Sequence, residues 1–529
     1  MLLADQPARK RTSMALAAVL AAAFALACAS GIPGLGGVDA YRHMAYAREL
    51  WRSGFALHGF PFLPFTILGD NGVDFWLGFH YLLVPFTPLG VIWGGRVAGA
   101  CIAAAVAANL AWLLWRGGQR RPLAFALSPF LLSPLVAARS LQARPAYLTV
   151  PLILTGLAAG AGELSPLWAF GCAFAHGLLH LSSPLSPAIV GAGFVAARLA
   201  GRRGSWQAVL ASVAGLAAAF AVRPDRAHYL QAAFLHNAGA LRLMPGAPLP
   251  GLGGELGAQS GLSLLIDWGA SLALLATALW MHRRARGRTA ALPAGAERSP
   301  PSGPDGAALR LAATLLVPIF FLACLRSARF ADYGVPTAAL AAGLWWPLAG
   351  SRRLSKLVSA PLLAIGVALI YLDLNVAWLV GNSTAPPVTY EALAAAVRAR
   401  VPAGTVLFTD DTFLTAVVYA SLPEYRYIAM ADPSLLYMRD ARQFWIWQHA
   451  ASEGTFCEQR SCDLQPSGEQ VARAVRVFGA AWVVTTRPPS SSVLLRVMSG
   501  DPAHFELAAA ESSEGTGEAL TLWKVRVSP

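Results

Sequence analysis

The sequence predicts an all-α polytopic membrane domain of about eleven transmembrane helices, followed by a soluble α/β domain. Three observations predict it. The 529 residues are 56% hydrophobic and 13% charged, against about 25% charged in soluble domains, and the mean hydropathy is +0.51. The apolar residues gather in stretches close to the roughly 20 that a helix needs to cross a hydrocarbon core. From residue 382 onward that pattern stops, and short β-rich runs alternate with helical ones.

The expected spans are 14–33, 91–115, 122–138, 145–162, 166–182, 184–198, 206–222, 261–281, 309–325, 335–350 and 357–380. Basic clusters test this division. Arg9, Lys10 and Arg11 precede the first span. Arg116, Arg120 and Arg121 follow the second, Arg198, Arg202 and Arg203 the sixth, and Arg283, Arg284, Arg286 and Arg288 the eighth. Arg352, Arg353 and Lys356 lie between the tenth and eleventh. Eleven spans put every cluster on one side, which the positive-inside rule makes cytoplasmic. The formal charge of +13 is therefore a topology signal, and no nucleic-acid partner is expected. Ala27-Cys28-Ala29-Ser30 after the first apolar run also fits a cleavable signal peptide; either reading orients the rest identically. The expected place is a bacterial inner membrane, with the N-terminus cytoplasmic.

This topology divides the chain into a membrane domain, 1–381, and a periplasmic α/β domain, 382–529. The long first periplasmic loop, 34–90, belongs to the membrane domain. Further outer segments are 139–144, 223–260 and 326–334, and the Pro-, Gly- and Ala-rich stretch 289–308 reads as a cytoplasmic linker. In the C-terminal domain, 405–409, 425–430, 480–486 and 520–527 read as strands, and 390–400, 434–451 and 468–478 as helices. Cys457 and Cys462 lie in polar sequence and suit a short-loop disulfide. The other four cysteines lie in apolar runs as small buried hydrophobes.

Residues 39–52 of the first loop have helical spacing. Ala40, Met44, Ala47 and Trp51 form one apolar face, suited to the membrane surface. Asp39 and His43 are i, i+4 neighbours on another, and Asp39 after Gly36-Gly37-Val38 suits a helix N-cap. A breaker-rich stretch through Asp70 and Asp74 follows, and 75–84 reads as a second surface helix. Charges beside a bilayer need a partner or a purpose.

A first span, then Asp39-Ala40-Tyr41 running through Ala47 and Leu50 to Gly54-Phe55, then Pro- and Gly-rich sequence and a juxtamembrane helix, resembles the GT-C superfamily. These are polytopic glycosyltransferases that use polyprenyl-phosphate-linked sugars. The wording is most similar to the oligosaccharyltransferase catalytic subunit and its bacterial relatives. The resemblance implies that Asp39 is catalytic or binds a divalent cation, Mg or Mn. The second outer loop has no Asp-x-Asp or Glu-x-Asp, and the tail has no Trp-Trp-Asp-Tyr-Gly. A less specialised lipid-sugar-dependent transferase is therefore expected, not transfer to asparagine.

Other residues fit that chemistry. Arg139 and Arg144 in the second outer loop, and Arg326, Arg329 and Tyr333 in the fifth, break the charge rule on the outer side. Guanidinium forks suit a lipid phosphate; headgroup snorkelling or an Arg329–Asp332 pair is the plain alternative. His176 and His180 sit at the outer end of the fifth span and suit a polar cavity lining. Asp410, Asp411 and Asp432 follow strands, and Asp432 suits a helix N-cap. Trp445 and Trp447 suit core packing.

The expected function is transfer of a sugar from a polyprenyl-phosphate carrier to a periplasmic glycan, lipid or protein acceptor, in contact with membrane lipid. Asp39 would deprotonate the acceptor or hold the cation, Asp70 or Asp74 would assist and His43 would orient the site. Tyr41, Arg139, Arg144, His180, Arg326, Arg329 and Tyr333 are the substrate- and phosphate-contacting candidates. A flippase for lipid-linked glycans is the rival reading, and would need charged mid-span residues; Asp267 and Asp373 are the candidates. A non-catalytic assembly protein is the third, and would tolerate loss of every outer-loop acid.

Overall fold

The computed structural model describes residues 6–31, 34–119, 121–243, 260–290, 306–346, 391–487, 493–512 and 519–526. Helix dominates the first part. It comprises α1 (Gln6–Ser30), α2 (Val38–Arg52), α3 (Ile67–Asn71), α4 (Leu77–Leu83), α5 (Gly90–Arg116), α6 (Pro122–Leu132), α7 (Pro134–Ser140), α8 (Pro145–Leu148), α9 (Val150–Gly160), α10 (Pro166–Leu179), α11 (Leu185–Leu199), α12 (Trp206–Val222), α13 (Arg226–Leu243), α14 (Gly261–Ala290), α15 (Ala307–Cys324) and α16 (Ala331–Trp345). α1 packs on α5, α9 on α10 and α11, α10 on α12, and α16 on α14 and α15. α16 is buried almost end to end, so it lies inside the bundle. The helices approach closely at small residues: a Cβ on Gly160 would lie 2.0 Å from the Val190 carbonyl oxygen of α11.

Helix occupies each of the first ten expected spans, and the eleventh, 357–380, lies outside the described residues. The structure does not establish eleven crossings. Among the described residues, four runs are long and apolar enough to cross a membrane: Arg11–Ser30, Leu77–Arg116, Gly261–Arg284 and Ala307–Cys324. A fifth results if α6 and α7, bent by 94°, act as one span. The apolar helices between residues 145 and 222 are no longer than 17 residues, or roughly 26 Å at 1.5 Å per residue, short of a core of about 30 Å. Apolar composition continues past the points where the backbone breaks. At the α6–α7 bend, Pro134 has no N–H to give, the Ser133 hydroxyl accepts from Val136 N at 3.4 Å, and Asp267 of α14 accepts from Leu135 N at 3.2 Å. Asp267 thus serves a broken helix; Asp373 lies outside the described residues.

The C-terminal part contains α17 (Glu391–Arg400), α18 (Thr412–Ser421), α19 (Ser434–Arg439), α20 (Ala441–Glu453), α21 (Gly468–Val477) and α22 (Val493–Gly500) around a five-stranded sheet. The strands are β1 (Val406–Thr409), β2 (Arg426–Tyr427), β3 (Trp482–Arg487), β4 (Phe505–Ser512) and β5 (Ala519–Val525), in the order β2-β1-β3-β5-β4. β1 pairs parallel with β2 and β3, and β5 antiparallel with β3 and β4. β4, α18 and α22 were not expected. The expected helix 434–451 is broken at Asp440, whose carboxylate caps α20. Cys457 and Cys462 form a disulfide. Trp445 and Trp447 are buried, and Trp447 Nε1 donates to the Thr409 carbonyl at 2.9 Å.

One consequence of this second part positions the site. α2 was expected on the membrane surface, but nearly all of it is buried, apart from its C-terminal residues such as Trp51, which is 56% exposed. α18 packs on α2: Phe62 stacks on Tyr419 with ring centroids 4.1 Å apart, Arg48 Nη2 donates to the Ala420 carbonyl at 2.7 Å, and Tyr427 N to the Phe62 carbonyl at 2.7 Å. α4 likewise buries Phe79, His80 and Leu83.

Candidate active site

α2 begins after Gly36-Gly37. Gln142 Nε2, on the turn between α7 and α8, donates to the Gly36 carbonyl at 2.7 Å. A Cβ on Gly37 would lie 2.7 Å from that Gln142 side chain, so only glycine admits the contact. This docking brings Arg144 onto Asp39. Asp39 does not act as an N-cap; that position is Gly37. Its Oδ1 instead takes Arg42 Nη2 at 2.9 Å, and its Oδ2 takes Arg144 Nη2. Burial alone would raise the Asp39 pKa, but Arg144 and Arg42 outweigh it and hold the carboxyl well below the usual range. Asp39 is therefore an anion at all physiological pH.

Asp39, Arg42, His43 and Arg144 line a cavity of about 570 Å3. Its other walls come from Phe75 and Trp76 before α4, His180 and Ser182 between α10 and α11, Leu185 of α11, His236 of α13, Arg329 just before α16, and Asp332 and Tyr333 at its start. The C-terminal part closes it with Phe413, Ala431, Asp432 and Leu435. Ala431 adopts φ +60°, and Asp432 N donates back to the Met430 carbonyl at 2.6 Å. This is a γ-turn in backbone that alanine rarely adopts, a form of strain that gathers at functional sites. Asp432 Oδ1 accepts from the Ser434 amide at 3.0 Å while the residue also lines the cavity; the N-cap position of that helix is Pro433, not Asp432 as expected.

Of the charged side chains on the wall, three guanidinium groups, Arg42, Arg144 and Arg329, stand beside Asp39, Asp332 and Asp432. Asp332 is paired with Arg139 at 3.4 Å, both about 4% exposed. With Arg139 counted, four guanidinium groups stand against three carboxylates at this site among the described residues, an excess that suits an anionic ligand. On the opposite wall the Tyr333 hydroxyl lies 3.0 Å from Ser182 Oγ and 3.2 Å from Thr149 Oγ1, and His180 Nδ1 lies 2.7 Å from Ser182 Oγ. His176 is fully buried behind them, with its ring nitrogens on Ser186 and Ser182.

Of the residues singled out from sequence, Asp39, His43, Arg144, His180, Arg329 and Tyr333 meet in this cavity. The others do not. Tyr41 points away: its hydroxyl accepts from Leu35 N at 3.1 Å, and burial pushes its pKa up to about 12. Arg139 is committed to Asp332. Arg326 is exposed and off the wall. The side chain of Asp70 lies outside the described residues.

Asp74 is buried behind the cavity, yet connected to it. Its Oδ2 lies 2.7 Å from His80 Nδ1, His80 Nε2 lies 2.8 Å from His43 Nδ1, and His43 Nε2 lies 3.4 Å from Arg42 Nη2. Asp74 is itself braced: Trp76 N donates to its Oδ1 at 2.9 Å, its own N–H donates to Asp225 at 3.0 Å, and Arg223, paired with Asp225, donates to its carbonyl. Burial first, and the charge of Arg42 second, hold the His43 pKa well below its usual value, so this imidazole is neutral. Sequence reasoning passed over Arg42 and His80, and read Asp432 as a helix N-cap without placing it in the site. The i, i+3 spacing of Asp39 and Arg42 was the signal for the first; a lone His inside an aromatic helix carried none for His80.

In this structure each Asp39 oxygen holds a guanidinium group. Among the described residues, no cluster of three or more His, Cys, Asp or Glu could hold a metal.

No family pattern and no curated protein sequence matches the chain. Solved structures do. The crystal structure of ArnT from Cupriavidus metallidurans bound to undecaprenyl phosphate is similar over 96% of this chain and 97% of that one, with a TM-score of 0.55 and 12% identity. The structure of the same protein in the apo state gives a TM-score of 0.55 at 13% identity, with the same coverage. At such identity the likeness is one of fold. It spans both parts of the chain.

Proposed function

We propose that this chain is a membrane glycosyltransferase that takes a sugar from a polyprenyl-phosphate-linked donor and passes it to an acceptor hydroxyl at the periplasmic face of a bacterial inner membrane. The observation that carries the reading is the convergence of Asp39 with Arg42, Arg144 and Arg329, from three distant segments, in one cavity. Its volume falls within the range of small-molecule sites. The fold supports the same reading, since a solved neighbour is bound to undecaprenyl phosphate. Leu181, Leu185 and Phe330 supply an apolar side for the first prenyl units.

In this scheme the donor phosphate draws Arg144 away from Asp39 and onto itself, with Arg329 beside it. One anion replaces another, so Arg144 is never left bare. Asp39 keeps Arg42 but regains a free oxygen, and its basicity rises as one of its two cations leaves. The acceptor hydroxyl then loses its proton to Asp39, its oxygen bonds the anomeric carbon, and the carbon–oxygen bond to phosphate breaks. The polyprenyl phosphate departs with its new charge held by guanidinium groups. His180, Ser182 and Tyr333 face the sugar as hydrogen-bonding partners. Asp432 lets the C-terminal part take a share in acceptor choice.

The test is binding and transfer by the full chain in vesicles. Undecaprenyl phosphate should bind saturably and undecaprenol about 100-fold more weakly, because only the first offers an anion to the arginines. A panel of undecaprenyl-phosphate-linked sugars should include at least one donor. Equal binding of the two lipids, or no donor in the panel, would overturn the proposal. Chelation with EDTA should change transfer less than twofold, since guanidinium groups supply the positive charge here.

A further inference from the structure

The chain from Asp74 to Asp39 has one self-consistent arrangement of hydrogens. A carboxylate only accepts, so His80 carries its proton on Nδ1. A neutral His80 then has a lone pair on Nε2, which accepts from His43 Nδ1–H. That leaves the His43 Nε2 lone pair to accept from Arg42 Nη2, whose second hydrogen goes to Asp39 Oδ1. All four residues behind Asp39 are at most 3% exposed, so water does not compete for these bonds. Reversing any one tautomer sets N–H against N–H at the next contact.

We propose that Asp74 is a positioning residue for the reaction centre: through the fixed tautomers of His80 and His43 it holds the Arg42 guanidinium on Asp39. The inference rests on the transferase reading for its kinetic consequence, and on the geometry alone for the wire. When the donor phosphate takes Arg144, Arg42 is the remaining cation on Asp39, and its placement sets how strongly Asp39 draws the acceptor proton. The groups facing His43 are Arg42 and Asp39 from its own helix, His80 from α4, Trp76 beside it and Arg144 across the cavity.

Asp74→Asn reverses the wire without changing its shape. The amide oxygen can still accept from Trp76 N, and the amide nitrogen then donates to His80 Nδ1. His80 moves its hydrogen to Nε2, His43 does the same, and the His43 N–H meets the Arg42 N–H. Turning the amide over only moves the clash to Trp76. Aspartate-to-asparagine changes beside a catalytic histidine act through the wrong tautomer in just this way.

The experiment uses the full chain in nanodiscs with 15N-labelled histidine, read by solid-state NMR, with His43→Asn and His80→Gln assigning the signals. The wild type should show both rings as neutral Nδ1–H, and Asp74→Asn should convert both to Nε2–H. With a donor from the panel, Asp74→Asn should lower kcat about 100-fold and leave donor KM within threefold. His80→Gln can donate to Asp74 and accept from His43, so it should retain at least tenfold more kcat than His80→Leu. This pair keeps the test open if Asp74→Asn does not fold. Wild-type rings in the Nε2–H form, unmoved tautomers in Asp74→Asn, or equal loss in the two His80 variants would overturn the wire. If the tautomers switch but no variant, wild type included, transfers sugar, the wire stands and the transferase reading falls.

Discussion

Replacing Asp39 by asparagine should separate binding from chemistry, with opposite signs. The change is isosteric and removes one negative charge from between Arg42 and Arg144. In the wild type a lipid phosphate must compete with Asp39 for Arg144. The two side chains are 18% and 13% exposed. Unit charges about 4 Å apart attract by roughly 4 kcal/mol at an effective dielectric near 20. Desolvation and residual water reduce the competing share to about 1–2 kcal/mol. Asp39→Asn should therefore tighten undecaprenyl phosphate binding by about 5- to 30-fold, while transfer falls by about 100-fold or more because the proton acceptor is gone. Since the arginines hold the Asp39 carboxyl well below its usual range, Asp39 does not titrate between about pH 5 and pH 8, and the tightening should grow through that window only as the lipid phosphate takes its second charge at about pH 6. Equilibrium binding to vesicles and transfer by the same preparations read both effects. Weaker phosphate binding in Asp39→Asn, or undiminished transfer, would refute the exchange of Arg144 between carboxylate and phosphate.

Arg144→Gln should weaken undecaprenyl phosphate binding about tenfold or more, the worth of a charge-assisted contact, measured in the same vesicles. Arg326→Ala and Tyr41→Phe should leave that affinity within twofold, since neither side chain reaches the cavity. Arg139→Leu should lower stability by about 3 kcal/mol, because Asp332 loses a buried partner; adding Asp332→Leu should recover most of it in denaturant titrations.

The parts legible in sequence were those governed by local chemistry. Apolar runs marked helix in each described span, and Gly36-Gly37 before a charged helix marked the segment that carries Asp39. Arg144 and Arg329 stood out because outer-side arginines oppose the topology rule. Arg139 and Arg326 oppose the same rule and do other things. One is held in the core by Asp332, and the other is solvated. Sign and side of the membrane do not reveal whether a guanidinium group has an anion of its own nearby. α2 shows the same limit. Its apolar face was read as membrane-facing, whereas Met44 on that face packs on Gly94 and Gly95 of α5, and α18, some 370 residues later, packs on α2 as well.

The sequence by itself determined the helical character, the apolar segments and the acid at the start of α2, because each depends on residues within a few turns of one another. The tertiary structure decided how many helices are long enough to cross a bilayer, that Arg42 and Arg144 share one carboxylate, and that His80 links Asp74 to it. It also decided that the C-terminal part walls the cavity. Those outcomes depend on distances between groups far apart in the chain, and electrostatic and hydrogen-bond energies are set by such distances and by the exclusion of water, neither of which a linear order of residues contains.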